Sequence, residues 1–199
     1  MPTRVLVLGH SFIKRLHRDI LNRWYPNLVQ HLNLRQAGVI VKLVGLSGGT
    51  IDTLLEDEEN RVRKAMLRFS PDIVILQIGG NDLDVVTFDM SGYMEKVCQF
   101  IGILQTTYLV KKVVLCEIFP RKKLRKKKKI CPYVYHYGKH LIDQYFYLSL
   151  ADHPSVSFWY HKSRLTAQWK LFLFDGIHLN VEGTRRFFKS LRGAVMSVL

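Results

Sequence analysis

Ser11, Asp175 and His178 have the residue types of a nucleophile, a carboxylate and a base, although they stand at opposite ends of the chain. A serine hydroxyl is a weak nucleophile and attacks a carbonyl usefully only when a neighbouring base takes its proton as the bond forms. His178 is the candidate base. Asp175, three residues earlier, can hold one imidazole tautomer and stabilise the positive charge that develops on it. Attack creates an oxyanion, and removing one of the donors that meet it typically costs about 100-fold to 1000-fold in rate. Three candidate donors are the backbone N–H of Ser11, the backbone N–H of Gly48 and the side-chain amide of Asn81. A glycine at 48 lets the main chain approach a substrate closely, and a serine opening a helix gains from the positive helix N-terminus. Taken singly, Gly9-His10-Ser11, Gly79-Gly80-Asn81-Asp82 and Asp175-Gly176-Ile177-His178 each read as a turn or a cap. Taken together and in this order, they supply the parts of a serine hydrolase site.

These segments need a scaffold that brings four distant turns to one place. Strand-like runs occur at Arg4–Leu8, Ile73–Ile78, Lys112–Ile118 and Val156–Tyr160, with a weaker one at Val39–Val44. Between them apolar residues recur at helical spacing: Ile51, Leu54, Leu55, Val62, Ala65, Met66 and Phe69, then Tyr93, Val97, Phe100, Ile101, Leu104 and Tyr108. A final helix opens after Asn180, a good N-cap, with Val181, Thr184, Phe188, Leu191, Val195 and Val198 on one stripe. Residues 12–35 read as largely helical with an interruption at Pro26. This alternation predicts an α/β fold with five parallel strands covered on both faces. Ligands then bind beyond the carboxyl ends of the strands, where Ser11, Gly48 and Asn81 follow the first three.

The four segments resemble the SGNH/GDSL hydrolase superfamily, with the match running from Val5 to about Phe188. Gly9-His10-Ser11 corresponds to its Gly-Asp-Ser block and Gly45-Leu46-Ser47-Gly48 to its second, glycine-bearing block. Gly79-Gly80-Asn81-Asp82 corresponds to Gly-x-Asn-Asp, and Asp175-Gly176-Ile177-His178 to Asp-x-x-His. The resemblance implies a three-layer α/β/α sandwich with a flavodoxin-like five-stranded parallel sheet, a single domain over 1–199, and ester hydrolysis without a metal or other cofactor. It further implies Ser11 as nucleophile, His178 as base, Asp175 as its orienter, and Gly48 with Asn81 in the oxyanion hole. His10 departs from the pattern, standing where the family has Asp. The Gly-His-Ser-Phe form together with a basic insertion also looks like SGNH-type domains carried by eukaryotic retroelements.

The chain has 199 residues and a net charge of +14, to which Arg121, Lys122, Lys123, Arg125, Lys126, Lys127, Lys128 and Lys129 contribute eight positive charges within nine residues. This run lies in a segment, 119–132, bounded by Pro120 and Pro132, and its like charges repel one another, so it is expected to form a loop outside the core. Its readings are a solvated loop, a nuclear-localisation tract, or a contact for phosphate, nucleic acid or another anionic ligand. The last defines an alternative function: an SGNH-like scaffold serving mainly as a basic nucleic-acid-binding or interaction module. Tyr133, Tyr135 and Tyr137 either stack on bases beside that run or open the next helix, which is the preferred reading. His136, His140, His153 and His161 show no metal-type spacing and read as surface or half-buried residues. Asp52, Asp82 and Asp84 read as turn or capping residues. Three cysteines, Cys98, Cys116 and Cys131, in no paired pattern favour a reducing compartment. No segment approaches the ~18 consecutive apolar residues of a membrane helix, and no signal peptide is visible. An intracellular location, cytoplasmic or nuclear, is expected, with a small-molecule, lipid or sugar ester as substrate.

Overall fold

The computed structural model describes residues 1–57, 60–124, 131–162 and 165–199. Five strands form: β1 (Thr3–Gly9), β2 (Val39–Gly45), β3 (Ile73–Gln77), β4 (Lys112–Cys116) and β5 (Val156–Trp159). They lie in the order β2-β1-β3-β4-β5, and every neighbouring pair is parallel. Side chains alternate along a strand, and β1 divides the core accordingly. Val5 and Val7 pack with Phe12, Ile13 and Leu16 of α1 (Ser11–Leu21) and with Phe187, Leu191 and Val195 of α6 (Val181–Met196). Leu6 and Leu8 face the other layer. There they meet Leu54 of α2 (Ile51–Glu56), Met66 of α3 (Arg61–Phe69), Val97 and Leu104 of α4 (Met90–Thr106) and Phe146 of α5 (Pro132–Ser149). Fully burying one such side chain stabilises the fold by about 1.5–3 kcal/mol. Burial on both faces is why these strands read as continuous apolar runs.

The strand order carries a functional consequence. From β1 the chain winds outward to β2, then crosses back over β1 to reach β3, so the winding direction reverses between β1 and β3. The crevice at such a reversal, outside the carboxyl ends of the strands, is the binding position of a doubly wound sheet. Ser11 leaves β1 and Asn81 follows β3, so both border that crevice.

Three local expectations are corrected. The helix expected over 12–35 stops at Leu21, before Pro26 is reached. Arg23 turns left-handed (φ 53°), the Arg23 N–H reaches Ile20 O at 3.1 Å and the Trp24 N–H reaches Asp19 O at 3.1 Å. This is the paired-bond ending usually built on glycine, here carried by arginine. The helical stretch over 51–69 is two helices, because Asp57 (φ 40°) and Asn60 (φ 52°) take left-handed backbone between them. The Asp57 carboxylate then accepts from the Val62 and Arg63 N–H groups at 3.0 and 2.7 Å, capping α3. The third correction concerns the segment 119–132, whose first residues, Phe119, Pro120 and Arg121, are buried. Like charges cannot pack together, but a single guanidinium enters a core when a carboxylate meets it. Residues 125–130 of the basic run lie outside the described residues. Tyr133, Tyr135 and Tyr137 belong to α5, with Tyr135 buried and the other two stacked on the surface. Among the described residues no helix is long and apolar enough to cross a membrane.

Candidate active site

At the end of β1 the backbone passes so close to β3 that a Cβ on Gly9 would lie 2.3 Å from Gln77 O. Only glycine fits there, and the tight passage aims the next residues across the crevice. His10 occupies the N-cap position and Ser11 is the first residue of α1. The Ser11 N–H therefore belongs to the set of helix-opening donors with no intrahelical partner.

The opposite wall is a loop between the short helix Trp169–Leu171 and α6. Phe172 and Leu179 form an antiparallel bridge, and the Leu173 N–H donates to His178 O at 2.7 Å, closing the loop on itself. Inside it, Asp175 Oδ1 accepts from the Ile177 and His178 N–H groups, each at 2.9 Å. Its other oxygen lies 2.7 Å from His178 Nδ1, and His178 Nε2 lies 3.2 Å from Ser11 Oγ. A carboxylate accepts only, so the Nδ1 proton faces Asp175 and Nε2 is left to accept from the serine hydroxyl. Burial lowers the His178 pKa below its ordinary 6.5, and the nearby Arg15 and Arg121 cations add to this against the opposing pull of Asp175. Burial pushes the Asp175 carboxyl upward, but its hydrogen bonds from His178 and Ile177 outweigh that, and its pKa is lowered overall. At neutral pH the pair is an ionised carboxylate and a neutral imidazole.

The second and third segments meet each other. Gly48 holds φ 72° in the turn after β2, and Asn81 Nδ2 donates to Gly49 O at 2.9 Å. Arg121 Nη2 donates to Asn81 Oδ1 at 2.7 Å, and Nη1 pairs with Asp84 Oδ2. Because a guanidinium only donates, this contact fixes which end of the Asn81 amide is oxygen and turns its NH2 toward the Gly48-Gly49 turn. Arg121 and Asp84 are 3% and 0% exposed, so the pair is a buried one. The Arg121 carbonyl accepts from His136 Nε2 at 3.1 Å, and Tyr135 O–H donates to Phe119 O at 2.8 Å, tying this segment to α5. Asp82 Oδ1 accepts from the Ile51 N–H at 2.7 Å and so anchors the start of α2 to the same turn, while burial lifts its pKa to about 6.

Arg121 thus departs from its expected role as a phosphate contact, since it is engaged inside the protein by Asn81 and Asp84. Lys122 and Lys123 are exposed; Arg125 and Lys126–Lys129 lie outside the described residues. His10 is buried, and burial first, then repulsion from Arg121 and His178, lowers its pKa to about 3. The departure at this position therefore places a neutral ring, not a second charge, beside Ser11. His161 is also buried rather than superficial: Nε2 donates to Gln77 Oε1 at 2.8 Å and Nδ1 accepts from Ser190 Oγ at 3.0 Å. Between these groups Phe119 stacks on Phe12 at 4.4 Å and lies 4.7 Å from the His161 ring, forming an apolar floor.

A scan against protein-family models finds no match, and a search of curated proteins finds none either. Solved structures share the fold over nearly the whole chain. A GDSL-like lipase from Bacteroides thetaiotaomicron VPI-5482 superposes with a TM-score of 0.70 at 19% identity, covering 99% of this chain and 89% of that one. TesA gives 0.70 at 17% identity, covering 99% and 100%. An acetyl xylan esterase gives 0.66 at 21% identity, covering 96% and 99%.

Proposed function

We propose that this chain, which has the fold of the GDSL-like lipases and SGNH hydrolases, is a serine ester hydrolase. The observation that carries the reading is the unbroken series Asp175 Oδ2, His178 Nδ1, His178 Nε2, Ser11 Oγ, with separations of 2.7 and 3.2 Å at its two links. In this reading His178 Nε2 takes the Ser11 hydroxyl proton as Oγ bonds to the ester carbonyl carbon, and the carbonyl π pair moves onto oxygen. The Ser11 N–H, the Gly48 N–H and Asn81 Nδ2 stabilise that oxyanion, aided by the positive end of α1. Collapse breaks the bond to the alcohol oxygen, which leaves with the proton from His178. Water then attacks the acyl-serine, giving its proton to His178, and the acid departs as the acyl–Oγ bond breaks and His178 returns the proton to Ser11 Oγ. Asp175 holds the imidazole in the required tautomer throughout. Hydrolysis of short-chain 4-nitrophenyl esters tests the reading; rates equal to buffer across a panel of acyl lengths would contradict it.

The base also fixes a pH dependence. The working form of His178 is neutral, and its pKa is lowered mainly by burial. As pH falls through that pKa the imidazole takes a proton and can no longer accept from Ser11. The profile of kcat/KM, which reports the free enzyme, should rise with pH, reach half its maximum below 6.5 and be level at neutrality. A midpoint above 6.5 would contradict this assignment.

A further inference from the structure

We propose that this site prefers esters whose alcohol portion carries an anionic group, held by Arg15 and Lys122. The inference rests on the hydrolase reading above. In that reaction His178 returns its proton to the leaving oxygen, so the alcohol portion lies on the His178 side of the acyl-serine. What surrounds His178 therefore determines what the alcohol meets.

Two cations flank that side. Arg15 stands four residues after Ser11, a spacing that puts the two on one face of α1 with Cβ atoms about 5–6 Å apart. Together with Phe12, Leu173, Leu179 and the Arg18–Asp19 ion pair it lines a cavity of about 210 Å³ beside the two ends of the histidine loop. Lys122 approaches the same loop from β4. Its N–H donates to Gly176 O at 2.8 Å, and its Cβ would lie 3.0 Å from a Cβ placed on Gly176. Among the described residues neither Arg15 nor Lys122 pairs with a carboxylate. Asp175, on the loop itself, is engaged by His178 and by two backbone N–H groups. Lys123 is also engaged, since its Nζ donates to Phe174 O at 3.0 Å and lies 3.8 Å from the centre of the Phe174 ring.

Among the described residues the leaving-group side thus carries two cations that no carboxylate pairs with, since Asp19, which also lines the cavity, is held by Arg18 at 3.0 Å. Apolar Phe12, Leu173 and Leu179 border it, and a charged cleft with low-dielectric walls concentrates ions of opposite sign. Among the described residues neither cation forms a hydrogen bond or ion pair with Ser11, Asn81 or Gly48, which separates their role from the bond-making groups.

Three esters test the proposal, each rate being normalised to spontaneous alkaline hydrolysis: 4-nitrophenyl acetate, 3-carboxy-4-nitrophenyl acetate and mono-4-nitrophenyl succinate. The first is neutral, the second anionic in the alcohol and the third anionic in the acyl group. At low salt kcat/KM for the second should exceed the first by about tenfold, the scale of two solvent-exposed ion pairs. The excess should vanish at 1 M salt, where the screening length is about 3 Å. Arg15→Gln and Lys122→Gln should each lower the ratio, and Arg15→Lys should retain most of it. Damage to the fold would lower both rates alike and leave the ratio unmoved. Equal rates at low salt, a preference insensitive to salt and to both substitutions, or a larger gain for the succinate would overturn the proposal while leaving the hydrolase reading intact. Turnover of none of the three would instead remove the hydrolase reading, and this inference with it.

Discussion

Ser11→Ala is expected to lower kcat/KM for a short-chain ester by about ten-thousandfold to a millionfold while leaving the fold unchanged. The loss is large because, among the described residues, Ser11 Oγ is the hydroxyl within hydrogen-bond reach of His178 Nε2. The fold is spared because Ser11 is the first helical residue rather than the cap, and its Oγ bonds to nothing else among the described residues. A surface helix position of this kind usually tolerates alanine within about 0.5 kcal/mol. His178→Ala should cost a similar factor. The double variant should be no worse than either single one, since groups that act as a unit lose their effect together. Thermal melts alongside initial rates check both halves. An active Ser11→Ala protein, or a double variant showing multiplied losses, would contradict the assignment of these residues as one unit.

The second large effect is expected at Arg121, through its two partners. Arg121→Met should lower stability by about 3–5 kcal/mol, because it removes the guanidinium from a carboxylate that is fully buried. It should also lower kcat, because Asn81 Oδ1 loses the donor that fixes its amide. Adding Asp84→Asn removes the buried charge, so the double variant should recover much of the stability. Its kcat should stay about tenfold to 100-fold below that of the unmodified protein, since the Arg121 guanidinium that orients the Asn81 amide is still missing. Asn81→Ala sets the outer limit, at about 100-fold to 1000-fold for one oxyanion donor. Denaturant midpoints and kcat measured on the same samples separate the two contributions. Full return of kcat with stability in the double variant would show that Arg121 serves only as the partner of Asp84.

Why the sequence reveals some of these features and hides others follows from how far apart the interacting residues stand. The five strands and the sheet-covering helices are legible because burial on both faces leaves unbroken apolar runs and regular stripes. The turns at Gly9, Gly48, Gly79 and Asp175-Gly176 are legible because close approach, left-handed backbone and side-chain capping each demand particular residue types at fixed local offsets. The structure brings Ser11, Asp175 and His178 into hydrogen-bond contact, and Asn81 beside the turn that holds Gly48.

What stays hidden is long-range or atypical. Arg121 stands in a run of like charges and reads as solvated; its partners Asp84 and Asn81 lie 37 and 40 residues away. The pairing of His161 with Gln77 spans 84 residues and has no local signature. The end of α1 is missed because arginine rather than glycine takes the left-handed position, and the break between α2 and α3 because aspartate and asparagine do. A usable signal for Arg121 did exist, in its place directly after Phe119-Pro120 at the end of a buried strand segment, ahead of the other charges.

Labelling with a fluorophosphonate probe tests the central claim most directly, because such a probe reports an activated serine without requiring the natural substrate. The unmodified protein should be labelled at Ser11, as mapped by mass spectrometry of its peptides, and both Ser11→Ala and His178→Ala should abolish the label. Labelling at another residue, no labelling of the folded protein, or equal labelling of the His178→Ala variant would contradict the account.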